Sequence, residues 1–269
     1  MLPDGNKIET TAYQHYLNDA PVDLAIDIAT MVGCPMSCKF CASASFPFVR
    51  SLSRFEMVGQ IEYMLKKHIF SKCCEIMCSF QGVGEPSLIP AEIINAWKTI
   101  KLIDNRCKLS ISTIGSNLDA FKIWRNCNAN ISNLQISLGG STNEQIDYIM
   151  PRKSSLQDLI QEARQLTSSS RVEQVKFNYI LINNFNDGDD DLKRLVDLFI
   201  NTSIIIKISY LNPTIASGKL ALKSAPYEKA KKFCAELRRN GIDSFIYGAF
   251  DDISVSCGQL LFSEITETK

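Results

Sequence analysis

The stretch Leu24-Ala25-Ile26-Asp27-Ile28-Ala29-Thr30-Met31-Val32-Gly33-Cys34-Pro35-Met36-Ser37-Cys38-Lys39-Phe40-Cys41 carries a short apolar run straight into three thiols spaced C-x3-C-x2-C. Three thiolates are one short of the four that saturate an iron–sulfur cluster or a structural zinc, so a metal held by them keeps one position open. Onward from this stretch, β-branched runs alternate with amphipathic ones. The runs 24–29, 75–80, 108–113, 133–138, 174–182, 203–211 and 244–248 read as strands, and 54–67, 90–103, 118–126, 156–168, 189–201 and 227–240 as helices. That alternation implies parallel strands with helical crossovers, as a doubly wound sheet or a full or partial barrel. Such folds place their chemistry on loops at the C-terminal ends of strands, where the three thiols fall.

Composition narrows the class. The 269 residues are 22% charged and 45% hydrophobic, with 29 basic and 29 acidic side chains, which excludes disorder and collagen-like repeats. Zero formal charge lacks the usual footprint of a nucleic-acid binder, although a local basic patch remains open. No apolar run approaches the roughly 18 residues of a membrane span. Ten Cys beside two His, after a polar opening at 1–14, point to reduced thiols and a cytoplasmic setting. With no repeat and no linker, the expected organisation is one domain over 1–269. It comprises an N-terminal extension (1–22), a partial barrel (23–248) and a C-terminal segment (249–269).

The triplet alone leaves three readings: an iron–sulfur cluster with an open iron, a zinc site completed by a distant Cys, or three unrelated buried thiols. Its position after the first strand, with Phe40 before the third Cys, resembles the cluster loop of radical S-adenosylmethionine (SAM) enzymes. That resemblance implies a partial (β/α)6 TIM-like barrel and a [4Fe–4S] cluster on Cys34, Cys38 and Cys41. The open iron would take the amino and carboxylate groups of SAM. A reducing electron donor of flavodoxin or ferredoxin type would then drive cleavage of SAM to a 5′-deoxyadenosyl radical.

Further segments, in order, resemble the RlmN/Cfr family, radical SAM enzymes that methylate adenine ring carbons in RNA. They are Phe48-Val49-Arg50-Ser51-Leu52, Glu56-Met57-Val58-Gly59-Gln60, Gly82-Val83-Gly84-Glu85-Pro86, Ser112-Thr113-Ile114-Gly115, Ser137-Leu138-Gly139, Ile149-Met150-Pro151, Asn186-Asp187, Tyr210-Leu211-Asn212-Pro213-Thr214 and Cys257-Gly258-Gln259-Leu260. The resemblance implies that Phe40, Gly84, Glu85, Ser112, Ser137, Leu138, Gly139 and Asn212 line the SAM site. It also implies that Cys257 carries a methyl group, which a radical step then transfers to an electron-poor sp2 carbon.

Two departures stand out. Asp27 occupies the place of a second catalytic Cys, and Gln14 the place of a family Glu. A carboxylate cannot form a disulfide with Cys257, so Asp27 is expected as a proton acceptor, with Cys78 a candidate substitute thiol. Only 33 residues precede Cys34, too few for the family's RNA-engaging accessory domain. Together with the neutral charge, this shifts the expected substrate to a small molecule or peptide, with RNA disfavoured and no membrane. The leading expectation is a C-methyltransferase, or a methylene-transfer relative, acting on such a substrate. The alternatives are an RNA adenine C-methyltransferase acting on tRNA or a short RNA, and a non-catalytic iron–sulfur or zinc module.

Overall fold

A computed structural model describes residues 1–17, 20–67 and 75–248. The strands are β1 (Thr11–Leu17), β2 (Ala20–Asp27), β3 (Met31–Val32), β4 (Arg50–Ser51), β5 (Glu75–Phe80), β6 (Cys107–Thr113), β7 (Ile131–Leu138), β8 (Val175–Leu181), β9 (Ile205–Tyr210) and β10 (Ser244–Tyr247). The helices are α1 (Arg54–Lys67), α2 (Pro90–Ile103), α3 (Asp119–Asn126), α4 (Asn143–Ile149), α5 (Leu156–Thr167), α6 (Asp189–Phe199), α7 (Ile215–Lys219) and α8 (Tyr227–Arg239). Eight strands form one curled sheet in the order β1-β2-β5-β6-β7-β8-β9-β10, and β3 pairs with β4 beside it. From β2 to β10 every neighbour is parallel. The six crossovers give the expected partial (β/α)6 barrel, with β10 as a seventh parallel strand. No helix among the described residues is long and apolar enough to cross a membrane.

The period of two along each strand sorts the two faces. Leu24, Ile26, Ile76, Cys78, Phe80, Leu109, Ile111, Leu134, Ile136, Phe177, Ile206 and Ile208 pack beneath the helices in one continuous core. Burying each large aliphatic side chain there contributes ~1.5–3 kcal/mol. The alternate positions, among them Asp27, Ser79, Ser110, Ser112, Gln135, Ser137, Asn178, Lys207 and Ser209, line a cavity of about 570 Å3. TIM barrels usually fill this space with branched side chains. Here many of the strand positions that face it carry small or polar side chains, alongside Met77, Ile180, Phe245 and Tyr247.

Two features differ from the expected pattern. Residues 11–17, read as extension, form β1, which closes the sheet edge antiparallel to β2 through pairs such as Tyr13 with Ala25. Helices α4 and α7 also escaped the periodicity, being only 7 and 5 residues long. Thr142 caps α4 by accepting from the Gln145 N–H.

Candidate active site

The loop after β2 is shaped by its own sequence. Gly33 has φ +70, and a Cβ there would lie 2.0 Å from the Pro47 carbonyl oxygen, so only glycine allows the approach. The loop is then pinned from three elements. Gln60 of α1 accepts from the Ala29 N–H at 2.8 Å and donates to the Ala29 carbonyl at 3.0 Å. The Lys39 N–H donates to the Ile149 carbonyl at 2.9 Å. The Thr214 hydroxyl, at the head of α7, donates to the Phe40 carbonyl at 2.9 Å.

Held this way, Cys34, Cys38, Cys41 and Phe40 line one end of the cavity. All three thiols are free, and they share an apolar patch with Met36, Ile114, Ile149, Met150, Ile180 and Leu211. Burial pushes the Cys34 thiol up to about 12 and raises those of Cys38 and Cys41. Each would bind metal as a thiolate only by giving up its proton to the metal's charge. No three His, Cys, Asp or Glu side chains among the described residues converge on a single-ion position. Three thiols that face one pocket supply the soft donor set of an iron–sulfur cluster.

Beside them Glu85 is buried and caps the turn Pro86–Leu88. Its carboxylate accepts from the Ser87 N–H at 3.0 Å, the Ile114 N–H at 3.0 Å and the Thr113 hydroxyl. Gly84 precedes it at φ +125, with no room for a Cβ against Thr30 and Met31. Gly84, Glu85, Ser112, Ser137 and Asn212 all line the cavity. Leu138 and Gly139 do not. Leu138 lies in the core on the opposite face, and Gly139 packs against Ile149 and Met150 while its carbonyl accepts from Asn186 Nδ2 at 3.0 Å. A neighbour of Ser137 on the same strand must point away from it, as the alternation of a strand requires.

Asp27, at the C-terminal end of β2, is 6% exposed and lines the cavity. Gln81 Nε2 donates to its Oδ1 at 2.6 Å, and the Thr11 hydroxyl to its Oδ2 at 3.4 Å. Burial lifts the carboxyl to about 6, against the pull of those bonds and of Lys207. Gln14 pairs with Leu24 on β2 and is not among the cavity residues. Cys78 faces the core, one position from the cavity residues Met77 and Ser79, and sits beside Cys107. It is therefore turned away from Asp27 and cannot serve as the substitute thiol. Cys257 lies outside the described residues, ten positions beyond Tyr247, itself a cavity residue.

Lys153, two residues beyond Ile149-Met150-Pro151, carries no motif of its own in the sequence. It is buried, donates to the carbonyls of Ile114 and Ser137, the latter at 2.8 Å, and ties the ends of β6 and β7 together. Burial draws its ammonium down to about 7, against the pull of Glu85 and Cys38. Gln81 and Lys207 likewise carry no sequence signal, and only their contacts reveal them.

Residues 28–199 match the Radical SAM superfamily, which fits the class that this barrel and thiol loop define. Over 278 residues, covering 100% of this chain and 76% of the relative, it is 31% identical to "Probable dual-specificity RNA methyltransferase RlmN" of Fervidobacterium nodosum. The protein of the same name from Pseudothermotoga lettingae is 33% identical, over 96% of this chain and 73% of its own. Among solved structures, a radical SAM methyltransferase from Sphaerobacter thermophilus shares the fold at TM-score 0.80 and 24% identity, over 96% of this chain and 75% of that one. The chain belongs to the radical SAM superfamily and, within it, to the RlmN/Cfr-like methyltransferases. It is an enzyme of a class that uses a [4Fe–4S] cluster, SAM and a reductant. Cys34, Cys38 and Cys41 fit the cluster by their donor set and shared pocket.

These comparisons turn the substrate expectation. The relatives are named for RNA, which favours the alternative over a small molecule or peptide. Net charge had pointed the other way because it sums the whole chain and is silent about any one surface.

Proposed function

We propose that this protein methylates a ring carbon of adenine in RNA. The observation that carries this reading is likeness to RNA methyltransferases over 96–100% of the chain, at 31–33% identity. The cavity beside the thiol loop, lined by both polar and aromatic side chains, supports it, because an enzyme that modifies a base must turn the base out of its stack into a pocket.

With a cluster and SAM bound, the site supplies one-electron chemistry that activates an otherwise inert methyl group. Cys34, Cys38 and Cys41 hold the cluster. Glu85, Ser112, Ser137 and Asn212, which line the same cavity, would orient SAM, and Phe40 would pack near the bound cofactor. Cys257 is the thiol that carries the methyl group. Asp27, ionised above about pH 6, accepts the proton that leaves the modified ring carbon. The reductant is of flavodoxin or ferredoxin type, and the setting is the cytoplasm.

The test is anaerobic incubation of the cluster-loaded protein with SAM, dithionite and bulk bacterial RNA, followed by nucleoside mass spectrometry. C-methylated adenosine is expected. Cleavage of SAM to 5′-deoxyadenosine with no methylated nucleoside would return the substrate to a small molecule or peptide. No cleavage at all would leave a non-catalytic metal module.

A further inference from the structure

Lys153, between α4 and α5, is the one cation among the buried residues described, at 8% exposed. An ammonium taken out of water is costly to the fold unless an opposite charge stands by it. Among the described residues it forms no ion pair, and its ammonium is met only by the carbonyls of Ile114 and Ser137. Glu85, whose charge it feels, is engaged elsewhere, accepting from the Ser87 and Ile114 N–H groups and the Thr113 hydroxyl. A buried cation is thus left with carbonyl dipoles where native proteins place an anion.

The place of Lys153 in the fold shows where the opposite charge belongs. The segment from Ile149 to Lys153 lies against the thiol loop. The Ile149 carbonyl accepts from the Lys39 N–H, next to Cys38, and the Met150 carbonyl accepts from the Lys153 N–H at 3.0 Å. Ile114, whose carbonyl the ammonium holds, packs with Met36, Cys38, Ile149 and Met150 in one apolar patch. Lys153 and Cys38 feel each other's charge across that patch. Yet Lys153 is not among the residues that line the cavity, so it stands behind the wall that Ile114 forms. Lys39, the cation inside the thiol loop, is turned the other way, its ammonium 3.7 Å from the centroid of the exposed Tyr148 ring.

We propose that Lys153 is a positioning residue for the electron-transfer step, its buried ammonium acting as counter-charge to the cluster on Cys34, Cys38 and Cys41 and raising that cluster's reduction potential. A [4Fe–4S] core on three thiolates carries net negative charge. The flavodoxin- or ferredoxin-type donor gives up one electron and the cluster gains it, with no bond made or broken, so the negative charge grows. Net charge, hydrogen bonding and burial set such potentials. A fixed cation in a dry wall favours the reduced state over the oxidised one, because its attraction rises with the charge it faces and the low dielectric leaves that attraction little screened. The negative charge of a bound cluster in turn keeps the proton on the ammonium. This rests on the cluster assignment above, not on the RNA reading, and goes beyond it by giving control of the potential to a residue outside the cavity.

The test is a potentiometric titration of the reconstituted full chain, without SAM or RNA, followed by the electron paramagnetic resonance of the reduced cluster. Wild type is compared with Lys153→Met and Lys153→Arg. At a fixed potential Lys153→Met should show a reduced-to-oxidised ratio about tenfold lower, a negative shift of about 59 mV for one electron. Lys153→Arg should return the wild-type value. Lys153→Gln, which keeps an N–H donor without the charge, takes the place of the methionine variant should that one fail to fold or to take up iron. An unchanged potential in a neutral variant overturns the inference. A shift that the arginine variant shares also overturns it, since packing rather than charge would then be what was lost. Loss of iron from both neutral variants with full uptake in Lys153→Arg supports it, and loss from all three overturns it. Wild-type protein that takes up no iron overturns the assignment of the three thiols, and this inference with it. The methylated nucleoside decides the RNA reading apart from all of these.

Discussion

At Asp27 the fold works against itself. A carboxyl raised to about 6 is one whose ionised form the native state disfavours. The folded protein therefore binds more protons than the unfolded chain between the ordinary carboxylate value near 3.8 and about 6. Stability falls as pH rises through that window, by up to about 3 kcal/mol on the order-of-magnitude scale of 1.36 kcal/mol per pKa unit. Asp27→Asn, which keeps a partner for Gln81, should raise the melting temperature at pH 7 while changing it little at pH 4. The same variant should form 5′-deoxyadenosine normally and lose methylated product. Calorimetry at the two pH values checks the first statement and product analysis the second. A variant less stable at pH 7 would mean that Asp27 is a structural anchor. As a departure from the family pattern, Asp27 was visible in the sequence. Its environment was not, because Gln81 lies 54 positions away and meets it only when β2 and β5 pair.

Among the elements, several family-like segments turn out to be buttresses for the thiol loop. Gln60 brackets Ala29, and Arg50 bonds both Asp4 and Glu56. Asn186, fully buried, ties Gly139 and Ile180 to the loop that follows β8. Thr214 does two tasks, donating to the Phe40 carbonyl and accepting from the Ser217 N–H at 2.9 Å. Thr214→Val removes both bonds and should cost about 1–2 kcal/mol of stability, with a second and more telling effect. With Phe40 released, the loop should hold iron less firmly, read as a lower iron-to-protein ratio after gel filtration of reconstituted protein. A full complement of iron in the variant would separate the cap from the cluster.

The long helices were legible because their apolar stripe repeats over three turns; α1 and α2 match their expected limits. The short α4 and α7 and the edge strand β1 were not, since their places are set by caps and by a neighbour rather than by periodicity.

At the scale of the whole molecule, one barrel end gathers what the chain scatters: thiols at 34–41, Glu85 at 85, Ser112, Ser137 and Asn212 meet around one cavity. The order of strands was readable from the alternation, and with it the end of the barrel that carries the chemistry. The substrate was not, because charge and composition average over surfaces that act separately. Cys34→Ala should leave a folded barrel that takes up no cluster. Its reconstituted form should lack the brown absorbance of the wild type, and SAM should no longer shift its melting temperature. A SAM-dependent shift that survives would place the SAM site away from the thiol loop.

The open space left on the concave face carries a consequence for heat and mass action. The convex face supplies the apolar burial that holds the chain together, whereas the interior contributes few such contacts of its own. Anything that seats there binds the native state alone and stabilises it by RT ln(1 + [L]/Kd), about 2.7 kcal/mol at a hundredfold excess over Kd. A melting curve is therefore a census of what the barrel accepts. It ranks candidate nucleotides before any of them is shown to react, including those that fit without being turned over.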